Sequence, residues 1–294
     1  MMLTRSFFNA SVRFSSASTV RRSTRLVSRA FSALPAHEPI VFASRHGVID
    51  IPHTTIWEIA QERAATDGDR SAFICGLTHR PVTFTELLDG SKRVAVALAE
   101  DGVRKGDTVV VHSINCLEYP MVMLAVCSPA SPMFHANELA RQAKAAKANY
   151  VITHRELESV AIEAADMVGI KRKHIYAMDG DAASKLTSIT ELSKREFGSF
   201  EFERLDPATN VLLPFSSGTT GVPKGVALSA HNMMANTLQV NHMEDLGDHS
   251  LGLLPFFHIY GMLMIHLSIY QGTTKVILPR FEPHTFLNAL STYK

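Results

Sequence analysis

The sequence predicts an α/β protein whose sheets are largely parallel and carry helices on both faces. Short apolar runs of strand length alternate with longer segments whose apolar residues recur at helical spacing. This alternation indicates parallel sheets, because the helix between two strands returns the chain to run in the same direction. With 294 residues, 46% of them hydrophobic and 19% charged, the chain can build the core of one large or two ordinary domains.

The first half of the chain gives strand and helix signals in regular succession. Thr54 or Thr55 is a suitable N-cap for a helix that begins at Ile56. The strongest helix signal runs over 84–100 and is stopped by Gly102. We expect further helices over 118–126, 137–146 and 156–168, and strands over 71–75, 80–83, 108–111, 150–153 and 174–178.

The second half repeats the pattern. We expect strands over 211–215, 226–228 and 275–278, and helices over 230–240, over 259–270 and from 283 onward. Residues 251–270 carry no formal charge over about the length that spans a bilayer. Polar and helix-breaking residues interrupt this stretch, however, so a strand followed by a buried helix explains it better than a transmembrane segment. The interrupting residues are Pro255, His258, Gly261, His266 and Ser268.

The most informative segment is the polar loop between the strands predicted over 211–215 and 226–228. Its sequence is Phe215-Ser216-Ser217-Gly218-Thr219-Thr220-Gly221-Val222-Pro223-Lys224-Gly225. Glycines allow positive φ and a close approach of backbone N–H groups to an anion, the hydroxyls add donors, and Lys224 adds a full charge. The loop is therefore predicted to bind phosphate, and a solvated polar loop is the alternative.

This loop is not a Walker A motif. Walker A has two glycines separated by four residues and follows its lysine with Ser or Thr. Here Gly218 and Gly221 are separated by two residues, Pro223 precedes the lysine, and Gly225 stands where the magnesium-binding hydroxyl would be.

At these residues the chain resembles the adenylate-forming superfamily, which includes acyl-CoA synthetases, coumarate-CoA ligases, luciferases and peptide-synthetase adenylation domains. The superfamily signature is a Ser/Thr/Gly-rich loop that ends in Pro-Lys-Gly. Segments 82–87 and 102–109 are similar to its amino-terminal part, and 254–261, Leu-Pro-Phe-Phe-His-Ile-Tyr-Gly, is similar to its second motif in CoA ligases. The resemblance covers about residues 50–294 and implies part of the large amino-terminal domain of such an enzyme.

The resemblance implies that the complete enzyme joins a small-molecule carboxylic acid to ATP, releases pyrophosphate, and passes the acyl group from AMP to coenzyme A, with Mg²⁺ sharing the phosphate charge. It assigns the β- and γ-phosphates to the loop residues Ser216, Ser217, Gly218, Thr219, Thr220, Gly221 and Lys224. A luciferase or an amino-acid-activating enzyme is a third possibility, which the Phe-Phe-His-Ile-Tyr-Gly motif disfavours.

The resemblance also assigns residues that contact the other substrates. His258 is the candidate catalytic residue and, with Tyr260 and Gly261, lines the carboxylate and acyl pocket; Arg280 matches a position that contacts coenzyme A phosphate in some relatives. From residue chemistry alone, an isolated histidine such as His258 is more often a core residue, and it is the resemblance that favours a site. The alternative for Tyr260 is a core tyrosine, and for Arg280 an equally plausible solvated surface residue. No metal ligands are assigned.

Two features depart from the superfamily pattern. At 126–132, Val-Cys-Ser-Pro-Ala-Ser-Pro, the predicted helix runs directly into a Pro-rich segment where relatives have a glycine-rich turn and a strand, so we expect a gap in the sheet. The sequence also ends at Lys294 within an amphipathic pattern, so we expect 38–294 to be an incomplete domain without the carboxy-terminal lid domain. The alternative function is therefore a truncated, non-catalytic fragment or pseudoenzyme.

The amino terminus has a different composition. Residues 1–37 contain six arginines and no acidic residue, and they are rich in serine. This composition is typical of a mitochondrial transit peptide, so we expect a disordered leader and a location in the mitochondrial matrix. A disordered basic tail or a mispredicted start codon is the alternative.

The remaining composition gives no signal for a nucleic-acid partner or a metal site. A formal net charge of +1 offers no bulk electrostatic attraction to nucleic acid. Cys75, Cys116 and Cys127 show no paired metal spacing and are expected to be buried as small hydrophobic residues. A polar group that matches no ligand template is interpreted as a loop; it comprises His242, Glu244, Asp245, Asp248 and His249.

Overall fold

The structure, a computed structural model, describes residues 47–126, 128–180, 184–196, 202–216 and 223–294. The chain divides into two units, Met1–Val48 and Ile49–Lys294. All helices and strands given below belong to the second unit.

In the described residues, the β-structure consists of two four-stranded sheets and two strand pairs. The strands are β1 Ser71–Cys75, β2 Pro81–Thr83, β3 Val109–His112, β4 Ser128–Ala130, β5 Tyr150–Thr153, β6 Ile175–Ala177, β7 Asn210–Leu212, β8 Phe215–Ser216, β9 Lys224–Gly225, β10 Leu228–Ser229, β11 His249–Gly252 and β12 Thr274–Ile277. The helices are α1 Ile56–Thr66, α2 Phe84–Glu100, α3 Tyr119–Ala125, α4 Ala136–Ala145, α5 Glu158–Val168, α6 Ile189–Leu192, α7 Ala230–Asn241, α8 Ile259–Gln271 and α9 Pro283–Thr292. The predicted α/β alternation is confirmed, with most boundaries within two residues.

The first sheet has the strand order β11-β12-β1-β2. Strands β11, β12 and β1 are parallel, and β2 is antiparallel at the edge. Phe73 and Ile277 point into the main core, which α1, α2 and α8 also line. Val276 and Leu278 face the opposite side and pack with Phe286 of α9 and neighbouring residues.

The second sheet, in the order β4-β3-β5-β6, is parallel throughout. Val109 and Val111 lie in the main core with α2 and α3, whereas Val110 lies in a second core with α4 and α5. The sheet is thus covered on both faces, which explains why its strands are continuous apolar runs and not alternating ones.

The gap predicted after α3 is wrong, because residues 128–130 themselves form the edge strand β4. Ser128, Pro129 and Ala130 are register partners of Val110, Val111 and His112 in β3. A proline fits there because an edge strand leaves one side of its backbone unpaired. The Pro129 carbonyl accepts a hydrogen bond of 2.8 Å from Nε2 of the buried Gln142 in α4.

The strand predicted over 211–215 is also wrong in detail, because it is divided into β7 and β8. Pro214 lies at the break and has no backbone N–H to continue the ladder. Its carbonyl instead accepts from the N–H of Val226 at 2.9 Å. The predicted strand 226–228 is shifted for the same reason: β9 ends at Gly225 and β10 begins at Leu228.

The uncharged stretch 251–270 is divided between the end of β11, a turn and α8. Within the described ranges, no helix combines the length and apolar character needed to cross a bilayer.

Candidate active site

The polar loop is held at its base by a two-strand hairpin. Phe215 pairs with Gly225 and Ser216 pairs with Lys224, antiparallel. Directly opposed residues in such a pair have Cβ atoms about 5 Å apart. The hydroxyl that opens the loop and the lysine that closes it are therefore neighbours. Ser217, Gly218, Thr219, Thr220 and Gly221 lie outside the described residues.

The side chains at the base of the loop are accessible. Ser216 and Lys224 are both exposed. Within the described ranges, Lys224 makes no ion pair. Its charge is thus available to an anionic ligand. A Cβ at Gly225 would lie 3.2 Å from the Phe215 ring and 3.3 Å from Leu213, so only a small residue leaves the hairpin undisturbed.

His258 lies at the amino end of α8, at the end of the turn that follows β11. It is exposed, and it occupies the N-cap position with extended φ and ψ of −91° and 143°. Its N–H donates to the Pro255 carbonyl and its carbonyl accepts from Met262, each at 3.0 Å. Tyr260 is 53% exposed. Both side chains are therefore open to a ligand.

Gly261 is buried, and its lack of a side chain has a packing reason. A Cβ at this position would lie 2.1 Å from the Pro255 carbonyl oxygen and 3.2 Å from that of Leu254. The first turn of α8 therefore packs directly against the backbone of the preceding turn, and this contact fixes where His258 leaves the sheet.

Asn115 organises the same turn, and the sequence analysis missed it. The side chain is 4% exposed. Its Oδ1 accepts from the N–H of Phe256 at 2.8 Å, and its Nδ2 lies 3.0 Å from the Leu254 carbonyl and 3.3 Å from those of Gly252 and Leu278. The available signal was a polar residue just beyond the carboxyl end of the buried strand β3.

Asn115 also explains how the two sheets meet. It follows β3 of the second sheet, whereas Gly252 ends β11 and Leu278 directly follows β12 in the first. The carboxyl ends of parallel strands are where α/β proteins place their ligands. One buried amide thus ties together the carboxyl edges from which His258 emerges.

Arg280 emerges from this edge too. It follows β12, is exposed, and lies in the segment before α9. Because Gly252 and Ile277 are register partners, the chain segments that carry His258 and Arg280 leave the sheet side by side. The hairpin β8–β9 at the base of the polar loop connects to this region through α7, which follows β10 and packs against α8.

The other sequence candidates form no second site in the described residues. Among them, no group of three His, Cys, Asp or Glu side chains is arranged to hold a metal ion. In the polar group around 242–249, the Asp245 carboxylate accepts from the Gly247 N–H at 2.9 Å, as in an ordinary turn. Cys75 and Cys116 are half-buried free thiols packed against the core, and burial raises the pKa of Cys116. Cys127 lies outside the described residues.

Comparison with known proteins identifies the family. The family model described as AMP-binding enzyme matches residues 60–294. The chain is 30% identical to 4-coumarate–CoA ligase 2 of Oryza sativa subsp. japonica over 292 residues, which is 91% of this chain and 51% of the relative. It is 33% identical to peroxisomal OPC-8:0-CoA ligase 1 of Arabidopsis thaliana, over 76% of this chain and 43% of that protein.

The fold comparison gives the same family of architectures. The crystal structure of a long-chain-fatty-acid-CoA ligase from Archaeoglobus fulgidus superposes with a TM-score of 0.75 at 24% identity, over 87% of this chain and 52% of that one. A red-emitting luciferase from Phrixothrix hirtus superposes with a TM-score of 0.74 at 19% identity, over 87% and 52%. At these identities the likeness concerns the fold.

The family model matches residues 60–294, which is more than half of the chain, and this match defines the class of protein. The chain belongs to the AMP-binding family of adenylate-forming enzymes, whose matched members include CoA ligases. It spans about half the length of the curated relatives it matches.

Proposed function

We propose that this chain forms the nucleotide- and acid-binding part of an acid-CoA ligase, which activates a medium-chain fatty or aromatic carboxylic acid as its acyl-adenylate and transfers the acyl group to coenzyme A. The single observation that carries the proposal is the pairing of Ser216 with Lys224 across the base of the polar loop. That pairing places a hydroxyl and a full positive charge at one exposed position. The similarity to CoA ligases supports the choice of reaction.

The chemical difficulty of this reaction is charge. An anionic carboxylate must attack the anionic α-phosphorus of ATP while pyrophosphate leaves, so positioning and electrostatic stabilisation dominate. Lys224 and the loop hydroxyls would hold the β- and γ-phosphates and stabilise the departing pyrophosphate. Charge-assisted hydrogen bonds are about twice as strong as neutral ones, which makes Lys224 the residue of greatest expected effect.

The sheet edge would hold the acid. His258 and Tyr260 are both exposed, two residues apart in sequence at the start of α8. There an imidazole can orient a carboxylate and a phenol ring can line an acyl or aromatic group. Arg280, on the neighbouring segment, would bind a phosphate of coenzyme A. The Asn115 hydrogen bonds keep the His258 turn in place.

Magnesium fits this site as a companion of the nucleotide. The described loop residues supply a hydroxyl and a cation but no carboxylate, so the phosphates themselves would provide most oxygen ligands, and the ion would neutralise part of their charge.

ATP binding by the 294-residue chain tests the proposal. We expect Lys224→Ala to weaken ATP binding at least tenfold in calorimetry, because it removes a charge-assisted bond. The matched control is Lys185→Ala, another exposed lysine outside the loop, which should leave the affinity unchanged. Equal ATP affinity of wild type and Lys224→Ala would contradict the proposal.

Catalysis is tested separately. ATP–pyrophosphate exchange with decanoate and 4-coumarate as acids separates an active ligase from the non-catalytic fragment. Acid-dependent exchange that Lys224→Ala abolishes supports the ligase. ATP binding without exchange favours the fragment or pseudoenzyme.

We also propose that residues 1–37 direct the protein to the mitochondrial matrix, on their Arg-rich, Ser-rich and acid-free composition. These residues lie outside the described part of the chain. A fluorescent reporter fused after residue 40 should be imported, and a variant with the six arginines changed to glutamine should not. A diffuse cytosolic signal from the unchanged fusion would overturn the assignment.

A further inference from the structure

The three segments that lead into β3, β5 and β6 are strongly basic. Residues 104–108, 144–149 and 171–174 contain a single acid, Asp107. Outside residues 1–37 the chain holds more acidic than basic residues, so composition alone does not explain this concentration of charge. The cations in the three segments are all exposed and are Arg104, Lys105, Lys144, Lys147, Lys171, Arg172 and Lys173.

The second sheet brings these segments together. Strands β3, β5 and β6 are consecutive and parallel in this sheet, so their amino ends lie at the same edge. Neighbouring strands are about 5 Å apart, which places the three amino ends within about 10 Å. The Asn149 N–H also donates to the Thr108 carbonyl at 3.2 Å and joins the first two segments. We call the exposed surface of residues 104–108, 144–149 and 171–174 the basic edge.

Part of this charge stabilises helix ends. Nη1 of Arg104 donates to the carbonyls of Ala99 and Val103, at the carboxyl end of α2. Lys144 lies in the last turn of α4, where a cation offsets the helix dipole. Within the described ranges, however, no side chain of the basic edge takes part in an ion pair. Like charges held at one edge repel one another, so an anionic partner would be attracted and would relieve this repulsion.

The side-chain chemistry of the basic edge favours a membrane surface over nucleic acid. Five of its seven cations are lysines, which are compact charges on flexible stems and suit a fluid layer of anionic headgroups. Met167, near the end of α5, is 48% exposed and offers an apolar contact. Single-stranded nucleic acid stacks its bases on exposed aromatic rings, but Tyr150 is 5% exposed and its ring packs against His174 at 4.6 Å between centroids.

We propose that the basic edge binds the surface of a membrane that contains anionic lipids. The inference goes beyond the proposed ligase activity and does not depend on it. The basic edge is at the amino end of β3, whereas Asn115, which holds the turn before His258, follows the carboxyl end of the same strand. Binding at the basic edge therefore leaves the candidate active site facing away from the lipid.

Lysine footprinting locates the bound surface. The full chain is acetylated with and without vesicles of phosphatidylcholine that contain phosphatidylglycerol, and the modification of each lysine is measured by mass spectrometry. We expect Lys144, Lys171 and Lys173 to react at least about threefold more slowly with the vesicles, and the exposed Lys185 and Lys294 to react unchanged. Residues 1–37 contain no lysine, so any contact of that segment with lipid does not enter this measurement.

Vesicle sedimentation measures what the charges contribute. Each lysine near an anionic leaflet increases partition about fivefold, and salt screens part of this effect. The double variant Lys171→Gln with Lys173→Gln should therefore partition about tenfold less than the wild type. The matched control, Lys185→Gln with Lys294→Gln, removes the same charge from exposed positions elsewhere and should partition like the wild type. All four positions are on the surface, so both variants should fold.

Equal reactivity of the basic-edge lysines with and without vesicles, or equal partition of the two double variants, would overturn the inference. Protection of the same lysines by single-stranded RNA but not by vesicles would also overturn it, and would assign the basic edge to nucleic acid. These outcomes are independent of the ATP experiment. A chain that binds anionic vesicles through the basic edge but does not bind ATP refutes the proposed ligase and leaves the membrane assignment standing.

Discussion

At the residue scale, Asn115 shows how one buried amide can position a site that it does not itself enter. Its carbonyl oxygen and amide group satisfy backbone groups of Phe256, Leu254 and Leu278. Buried backbone groups are costly when unpaired, so the turn before His258 is stable only with this side chain in place.

We therefore expect Asn115→Ala to lower the free energy of unfolding by about 2 to 4 kcal/mol, because it leaves several buried groups without partners. Urea denaturation measures this loss. The matched control is Asn149→Ala, whose amide makes one exposed bond of 3.3 Å to Asp107 and should change stability by less than about 0.5 kcal/mol. Equal effects of the two substitutions would show that the Asn115 bonds contribute little.

Gly261 and Gly90 are both buried helix residues, but they differ in what an added side chain would contact. A Cβ at Gly261 would collide with the Pro255 carbonyl, which belongs to the backbone and cannot rotate away. A Cβ at Gly90 would have the Met121 side chain as its nearest neighbour, with Cε at 2.4 Å and Sδ at 2.7 Å, and the end of this chain can rotate away. Alanine also favours a helix by about 1 kcal/mol over glycine.

Gly261→Ala is accordingly expected to destabilise the chain by about 2 kcal/mol or more, as overpacking does, whereas Gly90→Ala should be close to neutral. Thermal unfolding of both variants compares them. A neutral Gly261→Ala would mean that the turn before α8 moves freely, and the account of the His258 position would fail.

At the element scale, a group of charged residues joins α1 to the carboxyl end of α8. Arg63 bonds Asp67 at 3.1 Å and the Tyr270 carbonyl at 2.5 Å, and Arg70 bonds the Gly272 carbonyl at 3.0 Å. The last carbonyls of a helix have no partner within it, and cations stabilise them. These bonds thus anchor the far end of the helix whose near end carries His258.

Arg63→Met should lower the free energy of unfolding by about 1 kcal/mol. This is less than the loss of a fully buried charged hydrogen bond would cause, because the Arg63 side chain is 29% exposed. It should also raise the pKa of Asp67, which the hydrogen bond from Arg63 holds below its usual value. Urea denaturation and NMR titration measure the two effects. The exposed Arg141 gives the control variant Arg141→Met, which should alter neither quantity.

At the scale of the whole molecule, two buried histidines make stability depend on pH. Burial lowers the pKa values of His112 and His266 to about 4. Their unfolded forms titrate near 6.5, so between pH 6.5 and 4 the unfolded chain binds more protons. The contribution of the two neutral rings to the free energy of unfolding is therefore fully present above pH 6.5 and is lost as the pH falls towards 4.

Each histidine should therefore remove about 2 kcal/mol of stability between pH 7.5 and 5. His266→Gln eliminates one of these titrations, so its loss of stability over this range should be about 2 kcal/mol smaller than that of the wild type. The exposed His231→Gln should lose as much as the wild type does. Urea denaturation at pH 7.5, 6 and 5 measures these losses. If the free energy of unfolding depended on pH identically in the wild type and in His266→Gln, the burial of a neutral His266 ring would be contradicted.

Much of the architecture was predictable because it depends on local patterns. The helix over 84–100 was located to the residue, since its apolar stripe and capping Thr83 act within a few turns. Strand β4 was not predicted, because a Ser-Pro-Ala segment has no strand propensity of its own. It becomes a strand through its pairing with β3 and the Gln142 bond to Pro129.

For the candidate site, too, some features follow from the sequence and others only from the tertiary structure. The sequence by itself determined the α/β class and the family, because element periodicity and motif spacing are local properties of the chain; the roles of Lys224, His258 and Arg280 stay predictions. The tertiary structure decided the rest: that Asn115 holds the turn before His258, and that His266 lines an apolar cleft. Those contacts join residues far apart in sequence, such as Asn115 and Leu278, and only the packing of sheets and helices brings them within hydrogen-bonding distance.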